Sequence, residues 1–376
     1  METKSTEIQS SRGTKPVLVV GAGPVGLVAA LELARQGWSV RVFEKLQVRS
    51  ELSKAIGINP RTLDLLEASG VTMRLLAEGV RFKGVRVYGE SQCLFSILFE
   101  WLEHPRRFLL GLPQARTEGV LEQRLTELGI EVERGRELLD FEQNESEVRA
   151  RVSSTDGNEE WVTGQYLIGA DGAHSAVRRT LGIAFPGQTS ADGWSLADVA
   201  LETELDPAFA HAFSLPDRMV FLICFHPGLW RVASNLPNVL DHLPEGVALG
   251  AVHWRSDFRV SFRQAERYHE GRVFLCGDAA HVHSPIGARG MNMGIEDAVL
   301  LARLIVGGRI EEYGPIRHRA TGAAMSMVRV QTWLATRRAW IPNLLRNHLL
   351  PVVLKIPFVQ RQLVRRMAGL GDADLS

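Results

Sequence analysis

The chain is expected to adopt an α/β fold in which a Rossmann-like nucleotide-binding domain is interleaved with a β-sheet domain and followed by a helical C-terminal region. Three observations predict this. Near the N-terminus an apolar run, a glycine-spaced turn and a helical period follow one another. Two further short apolar strands each lead into a glycine–aspartate turn. Alternating strand-like patterns fill the intervals, and helical periodicity takes over after Tyr313.

Val17-Leu18-Val19-Val20 is all apolar and mostly β-branched, the pattern of a strand buried on both faces. Gly21-Ala22-Gly23-Pro24-Val25-Gly26 follows, then a helical period from Leu27 to Gln36, a Gly37 stop and a strand, Ser39 to Phe43, ending at Glu44. Gly21 permits the tight turn, Gly23 lets a pyrophosphate approach the backbone, and Gly26 lets helix and strand pack closely. The phosphates then meet the helix N-terminus at Pro24. Glu44, 18 residues after Gly26 and followed by Lys45, is placed to accept bonds from adenosine ribose hydroxyls and disfavours a 2′-phosphate. Glycines at this spacing occur by chance in many loops. The strand before them and the helix and strand after them make this a dinucleotide cradle, without separating FAD from NAD.

The stretch from Pro16 to Ala34 is about long enough to span a bilayer, yet its Gly-Ala-Gly-Pro interruption and Glu32 mark it as strand, turn and helix. Leu112 to Glu118, with Gln114, opens a helix from Glu118 to Leu128 whose apolar face carries Leu121, Leu125 and Leu128. A strand from Trp161 to Ile168 leads into Gly169-Ala170-Asp171-Gly172, with Arg178 and Arg179 just beyond. The third strand, Gly271 to Cys276, feeds Gly277-Asp278-Ala279-Ala280-His281-Val282-His283-Ser284-Pro285-Ile286-Gly287-Ala288-Arg289-Gly290-Met291-Asn292 and a helix from about Met293 to Val306.

Composition narrows the classes further. The 376 residues suffice for two unequal cores, and 43 basic against 43 acidic residues give no field that favours nucleic acid. Three scattered cysteines lack metal or disulfide spacing, and residues 1–15 form a polar lead-in without a signal peptide's apolar segment, so a cytoplasmic protein is expected. His281 and His283 are two apart and point oppositely on a strand with no third ligand nearby, so no metal site is expected. Ser284 lacks a nucleophile elbow.

Together the three motifs carry a resemblance to the class A flavoprotein aromatic hydroxylases, the family of para-hydroxybenzoate hydroxylase, from about Pro16 to Arg319. The resemblance implies a glutathione-reductase-type FAD fold. It assigns Gly21, Gly23, Pro24 and Gly26 to the pyrophosphate and Glu44 and Lys45 to the ribose end. Lys54 falls where the family usually has an arginine near the phosphates. Gln114 is implied to lie along FAD and the Leu138 backbone to touch adenine. Asp171, with Gly172 and Arg178, resembles a motif implicated in both FAD and NAD(P)H contacts. Gly277 and Asp278 resemble the motif that holds the ribityl and pyrophosphate part. Pro285, Ala288, Arg289, Gly290, Met291 and Asn292 resemble the loop and helix start that meet the isoalloxazine ring. A helix N-terminus there would stabilise reduced, anionic flavin. Many relatives carry more glycine where this chain has Ala288-Arg289. Arg289 is expected either to add a cation near the flavin or to sit solvated at the site mouth.

The implied activity is that of an NAD(P)H-consuming monooxygenase, which inserts one oxygen atom from O2 into a small aromatic or polyketide-like substrate through a flavin C4a-hydroperoxide. No second glycine motif marks a nicotinamide domain, so NADH and NADPH both stay open. Halogenation is disfavoured, because Trp340-Ile341-Pro342 lacks the first tryptophan of the halogenase signature. Flavin-dependent reduction or oxidation of a prenyl-type substrate and a non-catalytic flavin-binding regulator are the alternatives.

The expected FAD domain comprises 16–80, 108–184 and 264–310, the substrate domain 81–107 and 185–263, and the helical region 311–376. Trp194, Phe213, Phe221, Phe225, Trp230 and Trp254 are candidates for an aromatic-lined cavity or for plain core. His226 could deprotonate a phenol or serve structure alone. Trp340 to Gly369 is apolar with interspersed Arg346, Lys355, Arg361, Arg365 and Arg366. That pattern suits a helical cap, a hydrophobic substrate or peripheral contact with a membrane. Monomer and dimer are both compatible with the sequence.

Overall fold

The computed structural model describes residues 15–50, 55–89, 92–215, 218–336 and 344–371. The expected N-terminal lead-in, apart from Lys15, lies outside them, as do Lys54, Trp340 and Pro342.

Four parallel connections build the central sheet, in the order Val273–Leu275, Tyr166–Gly169, Val17–Val20, Val40–Glu44, Val132–Arg134, with His269–Glu270 antiparallel at one edge. Val17–Val20 lies in the middle, so the chain leaves it to opposite sides and opens a crevice at its C-terminal end. The helices Pro24–Arg35 and Gly290–Val306 pack against each other. With the buried strands they form the larger core, to which Leu27, Leu31, Phe274 and Leu301 contribute. The Pro16–Ala34 stretch folds as the strand Val17–Val20, a turn and the start of the helix Pro24–Arg35, and among the described residues no helix is long and apolar enough to cross a membrane.

The strand expected over Trp161–Ile168 is two strands. Glu159–Gly164 pairs with Val148–Ser153 in a small antiparallel sheet, and Tyr166–Gly169 joins the central sheet. The break falls at Gln165, just after Gly164, on which a Cβ would meet the Leu18 side chain at 2.6 Å and the Pro16 carbonyl oxygen at 2.9 Å. The helices expected to begin at Glu118 and Met293 begin at Gln114 and Gly290, because first turns carry few apolar residues and leave the period silent.

An eight-stranded mixed sheet roofs the crevice, in the order His281–Val282, Ala248–Gln264, Gly187–Glu202, Leu229–Ser234, Met219–His226, Phe209–Ser214, Gly84–Tyr88, Cys93–Leu98. Alternation along Met219–His226 sends Val220, Leu222 and Cys224 into a second core on the outer face, with Trp230 and Val239. Met219, Phe221 and Ile223 face inward. The 17-residue strand Ala248–Gln264 ends by pairing Arg263 with Val282 and Gln264 with His281, just past the Gly-Asp turn. The C-terminal helix Pro357–Met367 packs Val364 and, just beyond its end, Ala368 on Phe99 and Leu102.

Candidate active site

Glycine geometry shapes the first turn. Gly21 has φ +103°, and a Cβ on Gly26 would lie 1.9 Å from the Gly21 carbonyl oxygen, so neither position admits a side chain. A Cβ on Gly23 meets nothing within 4 Å. Gly23 caps the helix Pro24–Arg35 with no side-chain bond, and Gly23, Pro24 and Val25 line the cavity at this helix start. That is the shape a pyrophosphate requires. Both oxygens of Glu44 are fixed by backbone donors, Ala22 N–H at 2.8 Å and Leu46 N–H at 3.0 Å.

The Asp-Gly turn stands beside it. Asp171 Oδ2 accepts the N–H groups of Ala176 and Val177 at 2.7 and 3.2 Å, while its Oδ1 is buried with no partner among the described residues. Arg178 spans this turn and the Gly-Asp turn, donating to the Ala173 carbonyl at 2.9 Å and to the Ala279 carbonyl at 2.7 Å, with Phe185 stacked 3.8 Å from its guanidinium carbon.

A buried polar cluster holds the Gly-Asp turn from beneath. Asp297 Oδ2 accepts the Gly277 N–H at 2.8 Å and lies 2.7 Å from His281 Nε2; its Oδ1 accepts Arg317 Nε–H at 2.6 Å. Arg317 also reaches Glu296 at 3.3 Å and the Met293 carbonyl at 3.2 Å. Burial alone would raise the Asp297 pKa, but Arg317, His281 and the Gly277 N–H outweigh it and hold the carboxyl below its usual range. Asp278 stays exposed at the cavity. Nothing in the sequence pattern marked Asp297, since its role appears only when residues 20 positions away on either side converge on it.

The loop from Pro285 to Gly290 closes the ring of motifs. Ala288 holds φ +52°, a region L residues seldom adopt, and its Cβ would lie 2.8 Å from a Cβ at Gly57. Asn292, fully buried, accepts the Asn59 N–H at 3.0 Å and donates to the carbonyls of Gly57 at 2.9 Å and Ala288 at 2.6 Å. A Cβ on Gly294 would lie 2.5 Å from Val25, which shows how closely the two helix starts meet. Arg289 is 1% exposed, contrary to a solvated place at the site mouth; its Nη1 donates to the Arg366 carbonyl at 2.5 Å. His283, set aside in the metal reading, lines the cavity. Its Nδ1 donates to the Ser284 carbonyl at 2.8 Å, its Nε2 is buried with no partner among the described residues, and burial lowers its pKa to about 4.

One cavity of about 1740 Å³ runs from Gly23, Pro24, Gln114 and Asp278 past Pro285, Ala288, Arg289, Gly290 and Met291 to the inner face of the eight-stranded sheet; Gly21, Gly26, Glu44, Lys45, Leu138, Asp171, Gly277 and Asn292 stand behind or beside its lining and do not form it. Trp194, Phe221 and Trp254 line it, together with Phe82, Phe95 and Phe258, which were not among the candidates. Phe213, Phe225 and Trp230 do not line it: Phe213 stacks on Tyr88 at 4.6 Å and Trp230 belongs to the outer core. His226 is also outside it. The ladder slips between Cys224 and His226 as the chain enters the Pro227-Gly228 turn, leaving His226 exposed with Nδ1 3.2 Å from the Pro227 carbonyl oxygen. Lys45 is exposed beside Glu44. Leu138 is buried in the strand Glu137–Gln143, shortly after the Arg136 N–H binds the Glu44 carbonyl at 3.0 Å. Gln114 opens its helix, its N–H on the Ala55 carbonyl at 2.9 Å and its amide on Glu118 at 2.8 Å. Among the described residues no cluster could hold a metal ion. The residues present fit FAD: open space over Gly23, a carboxylate held by backbone donors in Glu44 and an Asp171 oxygen with no partner among the described residues.

Comparison with known proteins agrees. The FAD binding domain family matches residues 14–224 and 234–307. An aromatic compound monooxygenase of Bacillus subtilis is 34% identical over 84% of this chain and 68% of its own, and the 6-methylpretetramide 4-monooxygenase of Streptomyces rimosus is 34% identical over 96% and 69%. The crystal structure of p-nitrophenol 4-monooxygenase from Pseudomonas putida matches with a TM-score of 0.87 at 22% identity, covering 96% of this chain and 99% of that one, and supports the fold. The anhydrotetracycline hydroxylase from Streptomyces rimosus matches with a TM-score of 0.81 at 29% identity, over 95% and 76%. These relatives are named as oxygenases, so the prenyl-reductase and regulator alternatives are not favoured. The chain belongs to the FAD-dependent aromatic hydroxylases, the class A flavoprotein monooxygenases.

Proposed function

We propose that the protein inserts one oxygen atom from O2 into a polycyclic, polyketide-like aromatic substrate, with electrons from NAD(P)H. The observation that carries this reading is the continuity of the cavity from the phosphate cradle to an aromatic wall under the sheet. Its volume exceeds the roughly 300–1000 Å³ of ordinary small-ligand pockets, which leaves room for FAD and a fused-ring substrate together.

FAD supplies the redox chemistry when bound: it takes hydride from the nicotinamide and activates oxygen. The chain supplies place and environment. Gly23, the start of the helix Pro24–Arg35 and Glu44 hold the nucleotide end, and Asp278 and Asp171 the middle. The helix beginning at Gly290 starts on the cavity lining with Gly290 and Met291, and the positive end of its dipole there favours negative charge. Trp194, Phe221, Trp254 and Phe258 stack and enclose the substrate ring and keep water away from it. Arg231, locked bidentate on Asp198 at 2.7 Å, is an oriented cation for a substrate oxygen on a wall that also carries Arg255, Arg259 and Arg263. Pro285 opens a turn in which its carbonyl accepts the Ala288 N–H at 3.0 Å, and no acid or base of the protein needs to join the oxygen transfer.

The test is a screen of phenols, quinolones and polycyclic aromatics for stimulated NAD(P)H consumption, with product mass and peroxide measured. A gain of one oxygen atom is expected, larger for fused rings than for single phenols. Peroxide alone, or purified protein without flavin, overturns the reading.

A further inference from the structure

The side chain of Arg289 leaves the loop that carries it and crosses to a different part of the molecule. Its Nη1 donates to the Arg366 carbonyl, in the last turn of the helix Pro357–Met367. Carbonyls at that end point outward and carry the negative end of the helix dipole, so a buried guanidinium is well accommodated there. The bond joins two walls of the cavity. One is the loop from Pro285 to Gly290; the other is the C-terminal segment, which lines the cavity with Leu350, Leu354, Leu363 and Met367.

This segment is held to the rest of the chain at its far edge as well. Gln360 donates to the Ser96 carbonyl at 2.8 Å, the Arg61 N–H donates to the Ala368 carbonyl at 3.1 Å, and Val364 packs on Phe99 and Leu102. Its opposite surface is apolar too: Leu349, Val352, Ile356 and Phe358 are exposed. The bonds of Gln360 and Ala368, with the Leu98 N–H on Gln360 at 3.4 Å and Arg361 paired with Glu103 at 3.5 Å, tie the segment to the 59–103 side of the molecule, whereas the bond from Arg289 ties it to the loop from Pro285 to Gly290.

We infer that Arg289 is a positioning residue that couples the flavin-facing loop to the C-terminal wall of the substrate cavity, so that occupancy of either side shifts the other. The inference rests on the proposed function only for the identity of the two occupants. A bulky substrate pressing on Leu363 and Met367 displaces the Arg366 carbonyl, and the displacement reaches Ala288 and Gly290 through one side chain. Coupling of this kind is reciprocal: FAD on the loop side must also order the wall.

Hydrogen exchange of the full chain, with and without FAD, tests this without activity. In the native protein FAD is expected to protect both 285–294 and 357–371. In Arg289→Gln, protection is expected to remain at 285–294 and to be lost at 357–371; Arg289→Lys, which keeps a cationic donor, restores part of it. With 2-naphthol as probe, substrate stimulation of NAD(P)H oxidation falls about tenfold in Arg289→Gln, while the flavin midpoint potential stays as in the native protein. Equal protection of 357–371 by FAD in native and Arg289→Gln protein overturns the coupling, as does a shifted potential with unchanged stimulation, which would assign Arg289 to flavin charge. If native protein holds no flavin, the proposed function fails; unequal exchange of 357–371 between native and Arg289→Gln protein without FAD still supports the tie, and equal exchange removes it.

Discussion

Arg317 and Asp297 form a 2.6 Å ion pair in which neither side chain reaches solvent beyond 2%. Such a pair is dear to break from one side only, since the remaining charge is left buried. Arg317→Met is therefore expected to cost about 3–5 kcal/mol and to release the Gly277 turn. Chemical denaturation reads the first effect, and flavin content after purification reads the second. A loss below about 1 kcal/mol would show that the pair is not what holds the turn.

Gly23 and Gly26 are expected to part company under the same substitution. Gly23→Ala places its methyl in open space at an ordinary φ of −72°, so stability should change by less than about 0.5 kcal/mol while FAD affinity falls sharply. Gly26→Ala drives a methyl to 1.9 Å from the Gly21 oxygen and should destabilise the apoprotein itself. Thermal unfolding of apoprotein, set beside flavin titration, separates the two. Equal loss of stability in both variants would refute the assignment of Gly23 to the phosphate.

The difference between these glycines also shows what was legible in the sequence. Gly21, Gly23, Gly26, Glu44, Asp171 and Asp278 are proposed from local rules of turn and strand end, which reading the chain segment by segment supplies; of the six, Gly23 and Asp278 line the cavity. Arg289 could not be placed that way. Its partner is the carbonyl of Arg366, 77 positions later, and carbonyls leave no trace in a side-chain pattern. His226 failed for a related reason: ending a strand beside a proline fixed its neighbourhood in sequence, but the slip in the ladder turned it away from the cavity. The aromatic candidates divided by sheet face, which depends on register and not on residue type.

Gly57 and Ala288 should behave as a pair. Gly57→Ala brings two Cβ atoms to 2.8 Å and is expected to cost about 1–3 kcal/mol by overpacking. Adding Ala288→Gly removes one of them and also relieves a left-handed φ of +52°. The double variant should thus be more stable than Gly57→Ala alone, a non-additivity that a double-mutant cycle by thermal unfolding detects. Strict additivity would mean that the loop moves away freely.

His283 predicts a slope with pH. Burial depresses its pKa to about 4 in the folded chain from an ordinary value of 6.5. Between those values the unfolded chain binds a proton that the folded chain refuses, so stability falls as pH drops from 6.5 toward 4 and is unaffected by this group above 6.5. The contribution is on the order of 2 kcal/mol. His283→Gln should flatten the difference between pH 7 and pH 5 by about that amount. Parallel curves for the two proteins would show that the imidazole charges without resistance.

One strand, Ala248–Gln264, carries Trp254 and Phe258 on the cavity wall and then, without a break, pairs Gln264 with His281 beyond the Gly-Asp turn. Anyone recombining this chain with a relative to change its substrate therefore has no neutral crossover point within that strand. A junction placed inside it would transplant the pocket in a register the recipient's cofactor cradle does not share. The exchangeable module has to include the strand and the turn together, so shuffled libraries cut after Gly294 should yield more folded, flavin-bearing chimeras than libraries cut at 250–260.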